Sequence, residues 1–223
     1  NEMFGDVVNW DLIPVSAIAG MQLIPGSNPV FGLNTLGGAL AVTTKSGIDS
    51  PGVSVEAGGG WFGRRTLELT AGASPDATDA FVTGNLLNED GWRDYSSSRI
   101  RQLFAKLGWR NADVDATASA MFADNQLFGT QALPVSMLDN PRQAYTWPDG
   151  THNRLAFVNL GGNVHASADS VLSGTLYYRG LKSSGVNSNI NADLDEPDSP
   201  PAFNVDSTID AKGYGGGLQV ALE

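Results

Sequence analysis

The stretch LELTAGASPDATDAFVTGNLL, residues 67–87, contains two alternating segments joined by a short polar turn. Leucine or alanine occupies every second position over 67–73, and small or apolar residues do so again over 80–86. Alternation with a period of two residues is typical of a β-strand with one apolar and one polar face. The stretch therefore predicts an antiparallel hairpin whose turn is SPDATD, residues 74–79.

The same alternation recurs to the end of the chain, and helical periodicity is scarce. Further alternating segments lie at 102–110, 113–122, 156–164 and 172–178, and glycine-rich segments lie at 52–60 and about 208–222. Together these segments predict eight strands, several of them about 10–12 residues long, which exceeds the usual length of about 5–6 residues in globular proteins.

Short and long connections alternate between these strands. The tight polar turns are 74–79, 110–113 and 166–169, whereas the longer loops are 89–98, about 125–153 and about 183–207. A transmembrane β-barrel has this arrangement, with short turns at one end and long loops at the other. Trp109 lies beside a tight turn, where an aromatic girdle is expected. The alternative that fits the strands is a soluble Greek-key sandwich.

Composition limits the possible functions. The chain carries 24 acidic and 13 basic residues, a net charge of −11, and this argues against nucleic acid as a partner. It has no cysteine, which excludes disulfides and thiolate metal sites. The only histidines are His152, expected in a long loop, and His165, beside a tight turn, and no Gly-x-Ser-x-Gly elbow occurs. We therefore expect neither an enzyme nor a cofactor.

The segment NADLDEPDSPPAFNVD, residues 191–206, is rich in carboxylates and proline. Its spacing does not match an EF-hand, so we expect a solvated extracellular loop and no metal site. Binding of calcium, of cations that bridge lipopolysaccharide, or of ligand is the alternative.

Residues 25–47, PGSNPVFGLNTLGGALAVTTKSG, concentrate glycine and proline before a short β-like segment. A dinucleotide fingerprint needs G-x-G-x-x-G before a helix, and here neither the spacing nor the following element fits. A flexible linker would lack the interleaved apolar residues Val30, Phe31 and Leu33. The stretch therefore predicts an ordered turn.

These residues resemble the TonB-dependent outer-membrane receptors. The resemblance is most specific over 14–47, in the order PVSAIAGMQLI (14–24), PGSNPVFG (25–32), Gly37-Gly38 and ALAVTTKSG (39–47). VSVEAGGGWFGRRTLELTAGAS (53–74) and DGWRDYSSSRIRQLFAKLGWR (90–110) support it. Phe31 stands where the family usually has tyrosine, and the strand AIAGMQLI lacks the family's usual Glu and Arg.

The resemblance implies a mainly β fold. Residues 1–50 would be the C-terminal part of a plug domain, a small α+β segment, and residues 51–223 the first strands of an outer-membrane β-barrel, about 8 of about 22 strands. The chain would then be a fragment of a receptor in the bacterial outer membrane. Such a receptor imports a scarce ligand, such as a ferric siderophore, by plug rearrangement driven by the TonB–ExbB–ExbD complex. Its other partners would be outer-membrane lipid and lipopolysaccharide.

Two alternatives to this function stay open. One is a passive porin-like or adhesin β-barrel, and the other is a soluble carbohydrate-binding β-sandwich.

The resemblance and the loop aromatics together suggest site residues. The candidate ligand-binding residues are Phe31, Asn34, Trp92, Tyr95 and Trp147. The residues expected to form the structural turn of the plug are Gly26, Gly32, Gly37 and Gly38. Exposed aromatics on loops above a rigid scaffold are suited to ligand contact. The alternative is that they pack the loops together or anchor the outer interface.

Overall fold

A computed structural model of the chain describes residues 9–26, 37–167, 169–190 and 202–222. Two antiparallel sheets account for the strands in this part of the chain. The smaller sheet pairs β1 (Ile18–Pro25) with β2 (Gly38–Thr44). No helix among the described residues has the length and apolar character needed to cross a membrane.

The larger sheet has eight strands in strict chain order, so every neighbour is joined by one connection. Its strands are β3 (Gly52–Gly59), β4 (Arg65–Ala73), β5 (Thr78–Glu89), β6 (Ser98–Arg110), β7 (Val114–Gly129), β8 (Asp149–Ser167), β9 (Ser170–Ile190) and β10 (Ala202–Leu222). The sheet is open, with β3 and β10 at its edges. The predicted eight-stranded antiparallel meander is confirmed.

The hairpin predicted from residues 67–87 is also present. Leu67 lies opposite Leu86, and Ala71 lies opposite Val82, so the apolar positions of β4 and β5 share one face. Because side chains alternate along a strand, the polar positions share the other face. We call the apolar face the outer face, and the face that contacts residues 9–17 and 44–47 the inner face.

The strands of the second half are longer than expected. β7 has 16 residues, β8 has 19, and β9 and β10 have 21 each. The connections are shorter to match: residues 130–148 separate β7 from β8, and 191–201 separate β9 from β10. His152, expected in a loop, lies in β8 instead. Backbone pairing continues past the point where the apolar alternation ends, because the ladder needs no apolar side chain.

Residues 9–17 pack on the inner face through two single 3-10 turns, Trp10–Leu12 and Val15–Ala17. Ala17 is buried beside Phe81 and Phe104. Leu12 is buried in a second apolar cluster, whose other buried members are Ala123, Leu155 and Leu181. These two clusters form the core between the N-terminal segment and the sheet.

Polar contacts surround the apolar clusters. The Ser16 hydroxyl lies 2.7 Å from the Thr83 hydroxyl and 2.8 Å from the amide group of Asn85. The backbone carbonyl of Asp11 accepts hydrogen bonds from Gln102 and Asn125. The interface between the N-terminal segment and the sheet is therefore part apolar and part hydrogen-bonded.

Candidate ligand-binding site on the long loops

Two long connections lie at the same end of the sheet: residues 90–97 between β5 and β6, and residues 130–148 between β7 and β8. The tight turns 74–77 and 111–113 lie at the opposite end, because successive strands are antiparallel. We call the two long connections the first and second loop.

Tyr95 of the first loop and Trp147 of the second loop stack on each other. Their ring centroids are 4.3 Å apart and their planes differ by 7°. Both side chains remain about half exposed, at 54% and 52%. The pair thus links the loops and still presents aromatic surface to solvent.

Arg93 joins the first loop to the second by three hydrogen bonds. Its Nε donates to the carbonyl of Pro141 at 3.1 Å, and its Nη1 donates to the Thr130 hydroxyl and the Gln131 carbonyl, both at 2.9 Å. The guanidinium also lies 4.9 Å from the centre of the Trp92 ring. A planar guanidinium suits such a set of acceptors better than an ammonium does, because its donors diverge in one fixed plane.

The first loop is itself held in a tight conformation. The Arg93 amide donates to the Ser96 hydroxyl at 3.2 Å, and that hydroxyl donates back to the Arg93 carbonyl at 2.7 Å. Gly91 has a positive φ of 83°, and a Cβ at this position would lie 2.3 Å from the Ser96 carbonyl oxygen. Only glycine fits both conditions.

The second loop is anchored to the ends of two strands. Gln131 donates to the carboxylate of Asp149, the first residue of β8. Thr146 is buried and donates to the Ser188 carbonyl of β9 at 3.3 Å. The Asp94 amide, in turn, donates to the Arg142 carbonyl at 2.8 Å. The two loops thus form one connected surface.

The structure brings three of the predicted ligand-binding residues to this surface: Trp92, Tyr95 and Trp147. The other two, Phe31 and Asn34, lie outside the described residues. Arg93 was not singled out from the sequence, although it lies inside the quoted segment 90–110. Its role depends on acceptors about forty residues away, so local sequence carries no signal for it.

The predicted glycine turn is described only at its ends. Gly26 follows β1 with a φ of 88°, and Gly37 precedes β2. Gly38 opens β2 with a φ of 137°, and a Cβ there would lie 2.7 Å from the carbonyl oxygen of Ile24. Gly32 lies outside the described residues, so the turn itself stays a prediction.

Most of the acidic segment 191–206 also lies outside the described residues, and Asp206 falls in β10 opposite Val186. Within the part that the structure describes, no three histidine or acidic side chains converge on a possible metal position.

No protein-family model matches the chain, and no curated protein sequence matches it. Solved structures do match. The siderophore receptor PiuA from Acinetobacter baumannii has a TM-score of 0.73 and 13% identity, over 92% of this chain and 32% of that receptor. The ferric-catecholate import receptor Fiu from E. coli K12, in an open form, has a TM-score of 0.69 and 12% identity, over 90% of this chain and 35% of Fiu.

A third match is the ferripyoverdine receptor of the outer membrane of Pseudomonas aeruginosa, bound to ferripyoverdine. Its TM-score is 0.63 at 16% identity, over 90% of this chain and 28% of the receptor. The chain therefore spans about a third of the length of each of these proteins. At such identities the likeness concerns the fold: an antiparallel meander with a small N-terminal segment on one face.

Proposed function

We propose that the chain is part of a TonB-dependent outer-membrane receptor that imports a scarce ligand such as a ferric siderophore. In this proposal residues 1–50 are the last part of the plug and residues 51–223 are the first barrel strands. The observation that carries it is the packing of residues 9–17 on the inner face of a meander whose outer face is apolar.

The outer face supports a membrane location. Six large apolar side chains on it are 42–83% exposed: Val55, Leu69, Leu103, Leu160, Leu176 and Leu218. On β6 the outward apolar positions run from Trp109 to Leu103, six residues along the strand or about 20 Å, and Arg101 is the next outward residue. An outer-membrane barrel has an apolar band of about 25 Å flanked by aromatics. A soluble sandwich would have to bury this face.

The inner interface suits a plug that moves. Its apolar clusters are small, and beside the charged contacts of Lys106 with Thr44 and of Asp79 with the Gly47 amide it has hydrogen bonds between neutral groups, such as that of Ser16 with Thr83. Each such hydrogen bond contributes only about 0.5–1.5 kcal/mol net, since water can replace either partner. An interface of this kind is stable at rest and is opened by a modest applied force. The proposed source of that force is the TonB–ExbB–ExbD complex, acting on the full-length receptor.

The loop surface is the proposed outer ligand site. Tyr95, Trp147 and Trp92 supply flat apolar area, and Arg93 fixes their positions. Phe31 and Asn34 are proposed to meet the ligand from the plug side. Porin-like conduction and a soluble sandwich remain as outcomes that experiment can reveal.

The test uses the full-length protein in its own host. A deletion strain and its complemented partner are compared for uptake of radioactive iron supplied as defined siderophores, with and without a protonophore. We expect uptake that depends on the gene and stops with the protonophore, because plug rearrangement needs inner-membrane energy. Uptake that persists with the protonophore would favour a passive barrel. A protein that stays monodisperse in plain buffer without detergent would contradict the membrane location.

A further inference from the structure

Residues 45–51 join β2 of the smaller sheet to β3 of the larger one, and we call them the junction. The junction lies at the end of the larger sheet that carries the tight turns, beside the hairpin of β4 and β5. In the proposed function it is the covalent link between plug and barrel, so a force applied to the plug reaches the barrel through it. How firmly the junction is held therefore decides which part of the chain moves.

The junction backbone lies directly against the backbone of β4 and β5. A Cβ on Gly47 would clash with the carbonyl oxygen of Ala73, the last residue of β4, and would lie 2.5 Å from that of Ala80 in β5. A Cβ on Gly72 would clash in the same way with the Ser50 carbonyl oxygen. Because backbone atoms cannot rotate aside as a side chain does, only glycine allows these two close approaches.

Asp79 of β5 holds the junction by a charged hydrogen bond. The Gly47 amide donates to its Oδ1 at 3.1 Å. Its other carboxylate oxygen lies against Gly108 of β6, close enough to clash with a Cβ there, so the side chain has little room to turn away. Gly47 is buried, which limits competition from water. A hydrogen bond to a charged acceptor also contributes more than one between neutral groups.

The junction is held by internal hydrogen bonds as well. The Ser50 amide donates to the Ser46 carbonyl at 3.1 Å, which closes a turn over residues 46–50. The Ser46 hydroxyl donates to the Asp49 carboxylate at 2.7 Å and accepts from the Asp49 amide at 3.3 Å. Ser46 itself is buried. We call residues 46–50 the locked turn, because both their own contacts and those of the sheet hold them.

The hairpin of β1 and β2 is held less firmly than the locked turn. Among the described residues, its hydrogen bonds to the larger sheet lie at its base, where the Lys106 ammonium donates to the carbonyl and hydroxyl oxygens of Thr44 at 3.4 and 3.3 Å. Farther along the hairpin, Met21 is 60% exposed and Leu23 is 73% exposed. The structure thus joins a locked turn to a hairpin that is hydrogen-bonded to the larger sheet at one end.

We propose that the junction is a fixed pivot for movement of the plug. When the plug is rearranged, residues 46–51 stay on β4 and β5, and the chain before Lys45 moves. Lys45 lies between the end of β2 and the locked turn, so rotation about its backbone is enough to swing the hairpin. The pivot rests on the proposed function, because it needs a plug that moves.

A fixed pivot protects the first strand of the barrel. β3 begins directly after the junction, and in the described part of the chain it pairs with β4 alone. Gly52, its first residue, lies opposite Gly72, the position against which the Ser50 carbonyl packs. A pull on the chain at this point would separate the pairs of β3 and β4 one after another. With the junction held, the force passes to the backbones of β4 and β5 instead.

The test compares two covalent tethers in the full-length receptor in its own host. Ile48→Cys with Ser74→Cys ties the junction to the turn between β4 and β5, since both residues line one notch of about 160 Å³ and a short bismaleimide can bridge them. Ser16→Cys with Thr83→Cys ties the moving part to β5 by a disulfide, since the two hydroxyls are 2.7 Å apart. The chain has no cysteine of its own. Single-cysteine variants given the same treatment are the controls, and uptake of radioactive iron is measured with a trihydroxamate and a tris-catecholate as carriers.

We expect the junction tether to leave uptake within about twofold of its controls. The disulfide should lower uptake at least tenfold until a reductant restores it. Loss of uptake with the junction tether would overturn the pivot. Uptake retained under the disulfide would overturn it too, because the residues before Lys45 would then not move. No uptake of either complex by the parent would overturn the proposed function, and the pivot with it.

Amide hydrogen exchange tests the locked turn without transport. Asp79→Ala removes the acceptor of the Gly47 amide, and we expect exchange at residues 46–50 to rise about tenfold. Asp76→Ala is the matched control, because it removes a carboxylate of the same β4–β5 connection that, among the described residues, makes no hydrogen bond to the junction. Equal exchange in the two variants would show that Asp79 does not hold the junction, and would overturn the locked turn on which the pivot depends.

Discussion

Replacing Arg93 by methionine should release the two loops from each other. The substitution keeps much of the side chain's apolar stem but removes hydrogen bonds to Thr130, Gln131 and Pro141. Two of these bonds are part-buried and all three have a charged donor. Taking about 1 kcal/mol for each gives about 3 kcal/mol for loop association. Since about 1.4 kcal/mol corresponds to a factor of ten, the equilibrium between associated and separated loops should change by about 100-fold.

Amide hydrogen exchange on the full-length protein measures this equilibrium directly. We expect protection of residues 90–97 and 130–148 to fall by about 100-fold in the Arg93→Met variant. Strands β8 and β9 should keep their protection, because their ladders do not depend on Arg93. Arg93→Lys keeps the charge without the planar fork, so its loss should be intermediate.

The matched control is Arg142→Met in the second loop. Arg142 contributes its backbone to the loop contacts, and among the described residues its side chain makes no hydrogen bond or ion pair. The control removes the same charge and should leave exchange nearly unchanged. If Arg93→Met and Arg142→Met show equal protection, the three hydrogen bonds do not hold the loops and the reasoning is refuted.

Three further predictions concern the interface and the first loop. Since the chain has no cysteine, a cysteine introduced by Ala17→Cys can report on access to the buried interface. Adding Ser16→Ala should raise the rate at which an impermeant maleimide labels that cysteine about tenfold. An unchanged labelling rate would show that the Ser16 contacts do not hold the N-terminal segment on the sheet. Phe104→Ala should lower the free energy of unfolding by about 3–5 kcal/mol in urea titrations of reconstituted protein. Leu103→Ala, on the outer face, should lower it by less because lipid can fill the space left by the side chain. Equal decreases for the two variants would argue against the assigned faces. Gly91→Ala should raise amide hydrogen exchange in the first loop, because a Cβ at residue 91 would clash with the Ser96 carbonyl oxygen. Global stability should not fall. Exchange equal to that of the parent protein would contradict this prediction.

The sequence alone determined the meander and its two faces. In residues 67–87 the apolar side chains alternate and a polar turn separates the runs, and both features are local. A two-residue period admits only one way of presenting an apolar face from a strand. The alternation of tight turns and long loops then set which ends of the strands lie together.

The lengths of the later strands were underestimated because the alternation of apolar and polar residues ends at the border of the apolar band. Beyond it, β8 extends back to Asp149 and β9 runs on to Ile190, and polar residues and glycine predominate on both faces there. Backbone hydrogen bonds hold these extensions, and the sequence pattern does not report them.

Tertiary structure alone decided which distant residues meet. Tyr95 stacks on Trp147 and Arg93 reaches Pro141 only because two loops, separated by β6 and β7, return to the same end of the sheet. The opposition of Arg154 and Lys182 depends on register in the same way, since a shift by one residue would put one of them on the inner face. The sequence gives the chemistry of each side chain directly. These contacts, however, depend on strand pairing across the sheet, and no single local segment of the sequence specifies that pairing.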